Sequence, residues 1–209
     1  MNSDNFSNQD EYRPDYVQKT NLRKTFEFIF EMVKVAIISL AIILPVRYFL
    51  IQPFYVKGAS MEPNFYDHEY LIIDEVTYRF NEPKRGDIVV FRYPNNPSQY
   101  FIKRVIGLPG EKVRIEDNQV LIADADSADF SVLEEPYLGE GVITSVPMRG
   151  YSNVKLGEDE YYLLGDNRER SLDSRAFGLV EEEFIVGRTW LRGWPFNRLT
   201  VFNVPEYNL

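Results

Sequence analysis

A mainly β fold behind one N-terminal membrane-spanning helix is predicted by three features of this sequence. An apolar stretch near the N-terminus is close to the length needed to cross a bilayer. Behind it lies a series of short, β-forming segments separated by turn residues. In that later part there is no long amphipathic helical pattern. The expected organisation is a polar tail over residues 1–30, an anchor over 31–51 and an antiparallel, barrel-like β domain over 52–209.

The first twenty or so residues, MNSDNFSNQDEYRPDYVQKT, are polar and mixed in charge, and they read as a disordered tail. The apolar run Val35 to Leu44 continues through Val46, Tyr48, Phe49, Leu50 and Ile51, interrupted by Arg47. A spanning helix takes about 20 apolar residues, and Val33 to Ile51 is close to that length. Pro45 is tolerated in a membrane helix, and Arg47 sits where a long side chain reaches the interface. A buried helix of a soluble domain is the main alternative. A cleaved signal peptide fits less well, because the preceding polar region is long and no small-x-small site follows. Arg23, Lys24 and Lys34 flank the N-terminal side, whereas Lys57 is the first cation beyond the run. The positive-inside rule then places the N-terminus in the cytoplasm and the remainder outside.

Nine β segments are expected: 54–57, 70–75, 88–93, 100–106, 112–116, 120–123, 161–164, 185–191 and 200–203. Turns are expected at Arg85-Gly86-Asp87, Pro94-Asn95-Asn96-Pro97, Leu108-Pro109-Gly110 and Gly165-Asp166-Asn167. The acidic segment Asp124 to Glu135 reads as a solvated loop.

Composition removes several classes of chemistry. The net charge is −9, so the basic footprint of nucleic-acid binding is missing. There is no cysteine and one histidine, His68. Disulfides, thiolate metal sites, cysteine nucleophiles and multi-histidine metal sites are therefore impossible. A Ser-His-Asp triad would have only His68 to use, and Asp67-His68-Glu69 reads as a solvated turn.

Three stretches carry the polar chemistry that remains. In Val56-Lys57-Gly58-Ala59-Ser60-Met61-Glu62-Pro63, Gly58 and Ala59 leave room for a peptide to approach Ser60. A serine in a glycine-containing turn is commonly just a turn residue. In the strand around Lys103, alternation puts Phe101, Lys103 and Val105 on one face and Ile102, Arg104 and Ile106 on the other. If the first face points inward, desolvation lowers the Lys103 pKa, as a lysine base requires; an edge-strand lysine in water is the plainer reading. In the third stretch, Gly165 to Arg175, short polar residues follow an apolar run, and Asp173 has the spacing to pair with Arg175. A structural turn accounts for that stretch by itself.

Taken in order, these stretches resemble the sequence boxes of bacterial type I signal peptidases. Ser60-Met61-Glu62-Pro63 resembles the nucleophile box and Arg85 to Phe91 the strand box that follows. Lys103 to Glu111 resembles the lysine box, and Gly165-Asp166-Asn167-Arg168 with Ser171, Asp173, Ser174 and Arg175 resembles the last one. The likeness runs from the anchor to about Arg192. It implies Ser60 as nucleophile, Lys103 as base, Ser171 orienting the lysine, and Asp166, Asp173 and Arg175 holding the site together. The main-chain N–H of Ser60 would bind the oxyanion. Some relatives carry a hydroxyl residue two before the nucleophile as a second donor, but this chain has Gly58 there.

The resemblance implies no metal and no cofactor, preproteins with small residues at −1 and −3 as substrates, a lipid environment, and no obligatory protein partner. It places the enzyme at the outer face of a bacterial cytoplasmic membrane. Ser60 follows the anchor closely, so the site would stay near the bilayer. Phe54, Tyr55, Phe65, Tyr66, Trp190, Trp194 and Phe196 are candidates either for an interfacial belt or for the core. A soluble Ser–Lys peptidase and an inactive, membrane-tethered binding module are the two rival readings.

Overall fold

The computed structural model describes residues 15–49, 51–139, 141–204 and 207, with side chains described for 22–45 and from 53 onward within those ranges. The first fourteen residues and the Arg47 side chain, which both enter the sequence reading, lie outside the described residues. Two compact units divide the chain, residues 1–46 and 47–209.

The first unit is built on α1 (Asp15–Phe49). Within it, Leu22–Pro45 is long and apolar enough to cross a membrane. At 1.5 Å per residue that segment is about 36 Å long, against roughly 30 Å of hydrocarbon. The helix starts well before Val33, because Phe26, Phe28, Ile29, Phe30 and Met32 carry the apolar surface forward. The Arg23–Glu27 and Glu31–Lys34 ion pairs cancel much of the charge in those turns. Asp15 to Thr20 is helical rather than tail, and Ile51 belongs to a strand.

The second unit contains β1 (Ile51–Tyr55), β2 (Tyr70–Asp74), β3 (Ile88–Tyr93), β4 (Asn96–Gly107), β5 (Glu111–Glu116), β6 (Gln119–Asp124), β7 (Ser131–Val132), β8 (Asn153–Lys155), β9 (Glu160–Leu164), α2 (Ser174–Phe177), β10 (Val180–Glu181), β11 (Ile185–Trp194) and β12 (Thr200–Val201). The larger sheet runs β1-β2-β11-β3-β4-β9-β10, with β12 paired to β11, and the smaller runs β7-β6-β5-β8. Every strand pair is antiparallel. The turn between β3 and β4 is tighter than expected, since Tyr93 pairs with Asn96 and Pro97 already lies in the strand. β7, β8 and β10 were not expected. At two or three residues each, they are too short to show alternation.

The central strands are covered on both sides. In β3, Ile88 and Val90 pack with Val56, Met61, Phe65, Leu71 and Ile73, while Val89 and Phe91 pack with Val105, Tyr161, Leu163 and Val180. In β9, Tyr161 and Leu163 face that second cluster, whereas Tyr162 and Leu164 face a third with Ile106, Val113, Val120, Ile122, Leu133 and Leu156. This explains the continuous apolar runs at 88–91 and 161–164, because a strand with two buried faces does not alternate. Phe65 is core, fully buried and stacked on Phe202. Tyr55, Tyr66, Trp190, Trp194 and Phe196 are exposed.

Candidate active site

The Ser60 segment is a turn that leaves β1. Val56 N–H bonds the Glu69 carbonyl and His68 N–H bonds the Val56 carbonyl, so the loop returns to β2 as a closed unit. Gly58 has φ +88°, a left-handed conformation that disfavours side chains. Its N–H donates to Asp67 Oδ1 at 2.9 Å and is therefore engaged rather than free to hold an oxyanion. Met61 and Phe65, buried just beyond the serine, pin the turn into the core.

Lys103 lies on β4, opposite Val89 of β3. Phe101 and Val105, two residues either side of it, both pack against the Val89–Tyr161 cluster, as strand alternation requires. The lysine is 3% exposed. Its Nζ donates to Ser60 Oγ at 2.9 Å and to the Ile102 carbonyl at 2.8 Å, and lies 5.4 Å from the centre of the Phe101 ring. Burial pushes its pKa down from 10.5 to about 8, against the carboxylates of Asp173 and Asp166 and with help from Arg175. A hydroxyl that accepts from a buried amine poised near neutrality can pass its proton to that amine once the amine is neutral.

Arg104, the next residue, is equally buried on the opposite face, where the sequence pattern alone suggested no burial. It grips Asp166 with Nε–Oδ1 at 2.8 Å and Nη2–Oδ2 at 2.7 Å, and its guanidinium stacks 3.8 Å from the Tyr137 ring centre. Asn64 also donates to Asp166, at 2.8 Å. Next along the chain, Asn167 N–H bonds the Ser60 carbonyl at 3.0 Å. The last box is therefore tied directly to the Ser60 turn. Asp173 and Arg175 form a two-toothed ion pair, 2.8 Å on each side. Asp173 also receives the Gly165 N–H and caps α2 through the Arg175 N–H.

The Ser171 Oγ is buried with no hydrogen-bond partner among the described residues, and the Lys103 amine bonds Ser60 and Ile102. Ser171 packs on Gly165, where an added Cβ would lie 2.1 Å from Ser171 Oγ and 2.5 Å from the Ser60 carbonyl oxygen. His68 is remote from any base role: its ring stacks on Tyr55, with Nδ1 2.6 Å from the Tyr55 hydroxyl. Its neighbour Glu69 is not solvated as expected but buried between Arg192 and Arg198.

Sequence reasoning gave no role to Arg104, Asn64, Asn167, Glu135 or Tyr137. Glu135 ends the acidic segment that was expected to be a solvated loop, yet it pairs with the fully buried Arg168, and Leu133, two residues before it, is core. Arg104 had one visible signal, its position next to Lys103 on a strand. Glu135 had none, because its partner lies 33 positions away.

Ser60 and Lys103 open on a cavity of about 290 Å³ whose wall includes Phe54, Val56, Leu71, Val90 and Ile102. Apart from Lys57 and Arg170, which also line it, the wall around the two polar groups is largely apolar, which suits a chain with small or apolar side chains.

Comparison with known proteins gives a consistent result. The profile of the family described as "Signal peptidase, peptidase S26" matches residues 29–194. Signal peptidase I of Leptolyngbya laminosa is 38% identical over 184 residues, covering 85% of each chain. Signal peptidase I T of Bacillus subtilis (strain 168) is 35% identical over 188 residues, covering 87% of this chain and 93% of that one. The crystal structure of a signal peptidase I from Enterococcus faecalis V583 aligns with a TM-score of 0.42 at 31% identity, over 52% of this chain and 97% of that one.

Proposed function

From the premise that this chain belongs to the S26 family of signal peptidases, we propose that it removes signal peptides from exported preproteins with a Ser60–Lys103 dyad. The observation that carries this reading is the 2.9 Å contact between Lys103 Nζ and Ser60 Oγ, made by a lysine buried among apolar side chains.

Neutral Lys103 takes the Ser60 proton as Oγ adds to the scissile carbonyl. The ammonium then protonates the departing amine as the C–N bond breaks, leaving an acyl ester on Ser60. Lys103 next deprotonates a water, whose hydroxide attacks the ester; the ammonium returns that proton to Ser60 Oγ as the C–O bond breaks, and the freed carboxylic acid ionises to the carboxylate product. The Ser60 N–H is the main-chain donor for the oxyanion. Asp166, Asp173 and Arg175 act by holding the turn and the lysine in register, and the Ile102 carbonyl orients the lysine amine. Substrate residues −1 and −3 would lie in the apolar cavity, with bulk there excluded by its walls.

The same reading makes α1 the anchor, with the N-terminus cytoplasmic and the β unit outside. Tyr55, Tyr70 and Trp194 are register neighbours on β1, β2 and β11, and Trp194 meets Phe196 edge-on at 4.8 Å. This exposed aromatic row suits a bilayer surface.

The deciding experiment is cleavage of a purified preprotein by the detergent-solubilised chain beside its Ser60→Ala and Lys103→Ala variants. One cut after a small residue, lost in both folded variants, is the expected result. An inactive parent that an acylating probe also fails to label would favour the binding-module reading.

A further inference from the structure

A second cavity, of about 380 Å³, is lined by residues that neighbour those of the first along the chain. Ser60, Arg170 and Leu172 line the first, whereas Glu62, Asn167 and Glu169 line the second. The hydrogen bond from Asn167 N–H to the Ser60 carbonyl therefore joins the two linings. Two residues of chain reach at most about 7 Å, so the Glu62 edge begins within that distance of Ser60. A peptide whose scissile carbonyl sits at Ser60 places its next two or three residues at that range. The other walls of the second cavity suit a peptide, with Tyr66, Val142 and Ile143 exposed along it.

Charge reverses between the two cavities. Lys57 and Arg170 border the first, and Glu62 and Glu169 border the second. The ion pairs among the described residues include none of these four. Among the described residues, the remaining charges of the second cavity, Asp166 and Arg168, are neutralised by Arg104 and Glu135. The adjacent pair Glu169 and Arg170 thus splits across the cut, one residue to each side.

We propose that the second cavity receives the first residues of the released, mature chain, and that Glu62 and Glu169 make it favour basic side chains there. This rests on Ser60 being the nucleophile. Exposed pairs of this kind are weak individually, so the expected preference is modest, about three- to tenfold for a doubly basic over a doubly acidic segment, and it shrinks with salt.

The test uses three fluorogenic peptides identical up to the cut, with Lys-Lys, Gln-Gln or Glu-Glu at the second and third positions after it. Each is assayed with the full chain in detergent at low and high salt. The parent should cut the Lys peptide with the highest kcat/KM and the Glu peptide with the lowest. The Lys-to-Glu ratio should fall towards one in the Glu62→Gln/Glu169→Gln double variant, and Glu169→Lys, at an exposed position, should invert it. No discrimination by the parent, or a ratio that survives in the double variant, overturns the proposal. Binding of the same peptides to the Ser60→Ala chain, read by fluorescence anisotropy, separates the two layers. If the parent cuts nothing yet Ser60→Ala still holds the Lys peptide more tightly, the nucleophile assignment fails and the subsite stands. Equal binding with no cleavage removes both.

Discussion

Lys103 must be neutral to accept a proton, and its pKa is lowered to about 8. With the neutral form as the active one, kcat/KM should rise about tenfold per pH unit below that value and level off above it. A rate already full at pH 6 would exclude Lys103 as the base. The same shift affects stability. Between about 8 and 10.5 the unfolded chain holds a proton on this lysine that the folded chain has lost, so this group's contribution to stability rises with pH across that window. Lys103→Met should flatten that rise in denaturant titrations at a series of pH values. Gly165 is constrained by space rather than by backbone angle. Gly165→Ala would drive a methyl group into Ser171 and the Ser60 carbonyl. Acylation of Ser60 by an active-site probe should fall by at least tenfold, while far-UV circular dichroism stays unchanged. Normal labelling would show that the turn has room to yield.

At the scale of elements, the site is the meeting of the Ser60 turn, β4 and the turn after β9, and buried ion pairs join them. Arg104 reaches from β4 to Asp166, and Arg168 reaches from the same turn to Glu135. Such pairs contribute little net stability when intact, but removing one partner strands a buried charge at a cost of about 3–5 kcal/mol. Asp166→Ala should therefore lower the unfolding free energy by about that amount, and a Tm within a degree or two of the parent would contradict the assignment. Glu135→Ala should do the same to a lesser degree, since Arg168 keeps Thr144 and the Gly165 carbonyl as acceptors. β4 itself was readable from its residues, as Phe101 and Val105 flank Lys103 on one face and reach the same cluster. The burial of its other face was not readable, because the cover comes from segments distant in sequence.

Across the whole molecule, a 24-residue apolar stretch precedes a unit whose regular structure is mainly antiparallel strand. Alkaline carbonate should leave the full chain in the membrane pellet, and release into the supernatant would favour the soluble-peptidase reading. Protease added outside intact spheroplasts should digest the β unit and spare an N-terminal tag. The sequence by itself determined the class of fold and the presence of an N-terminal apolar segment, though not its bounds, and singled out Ser60 and Lys103 as candidates, because those follow from local signals: hydropathy, period-two alternation, turn residues and ordered boxes. Only the tertiary structure decided that Gly58 N–H is taken by Asp67, that Ser171 packs on Gly165 and Lys103 bonds Ile102, and that Glu135 belongs to the buried framework. Each of these depends on which groups share a few ångströms of low-dielectric space across dozens of residues of chain. Local pattern carries no record of that proximity, and packing alone sets it.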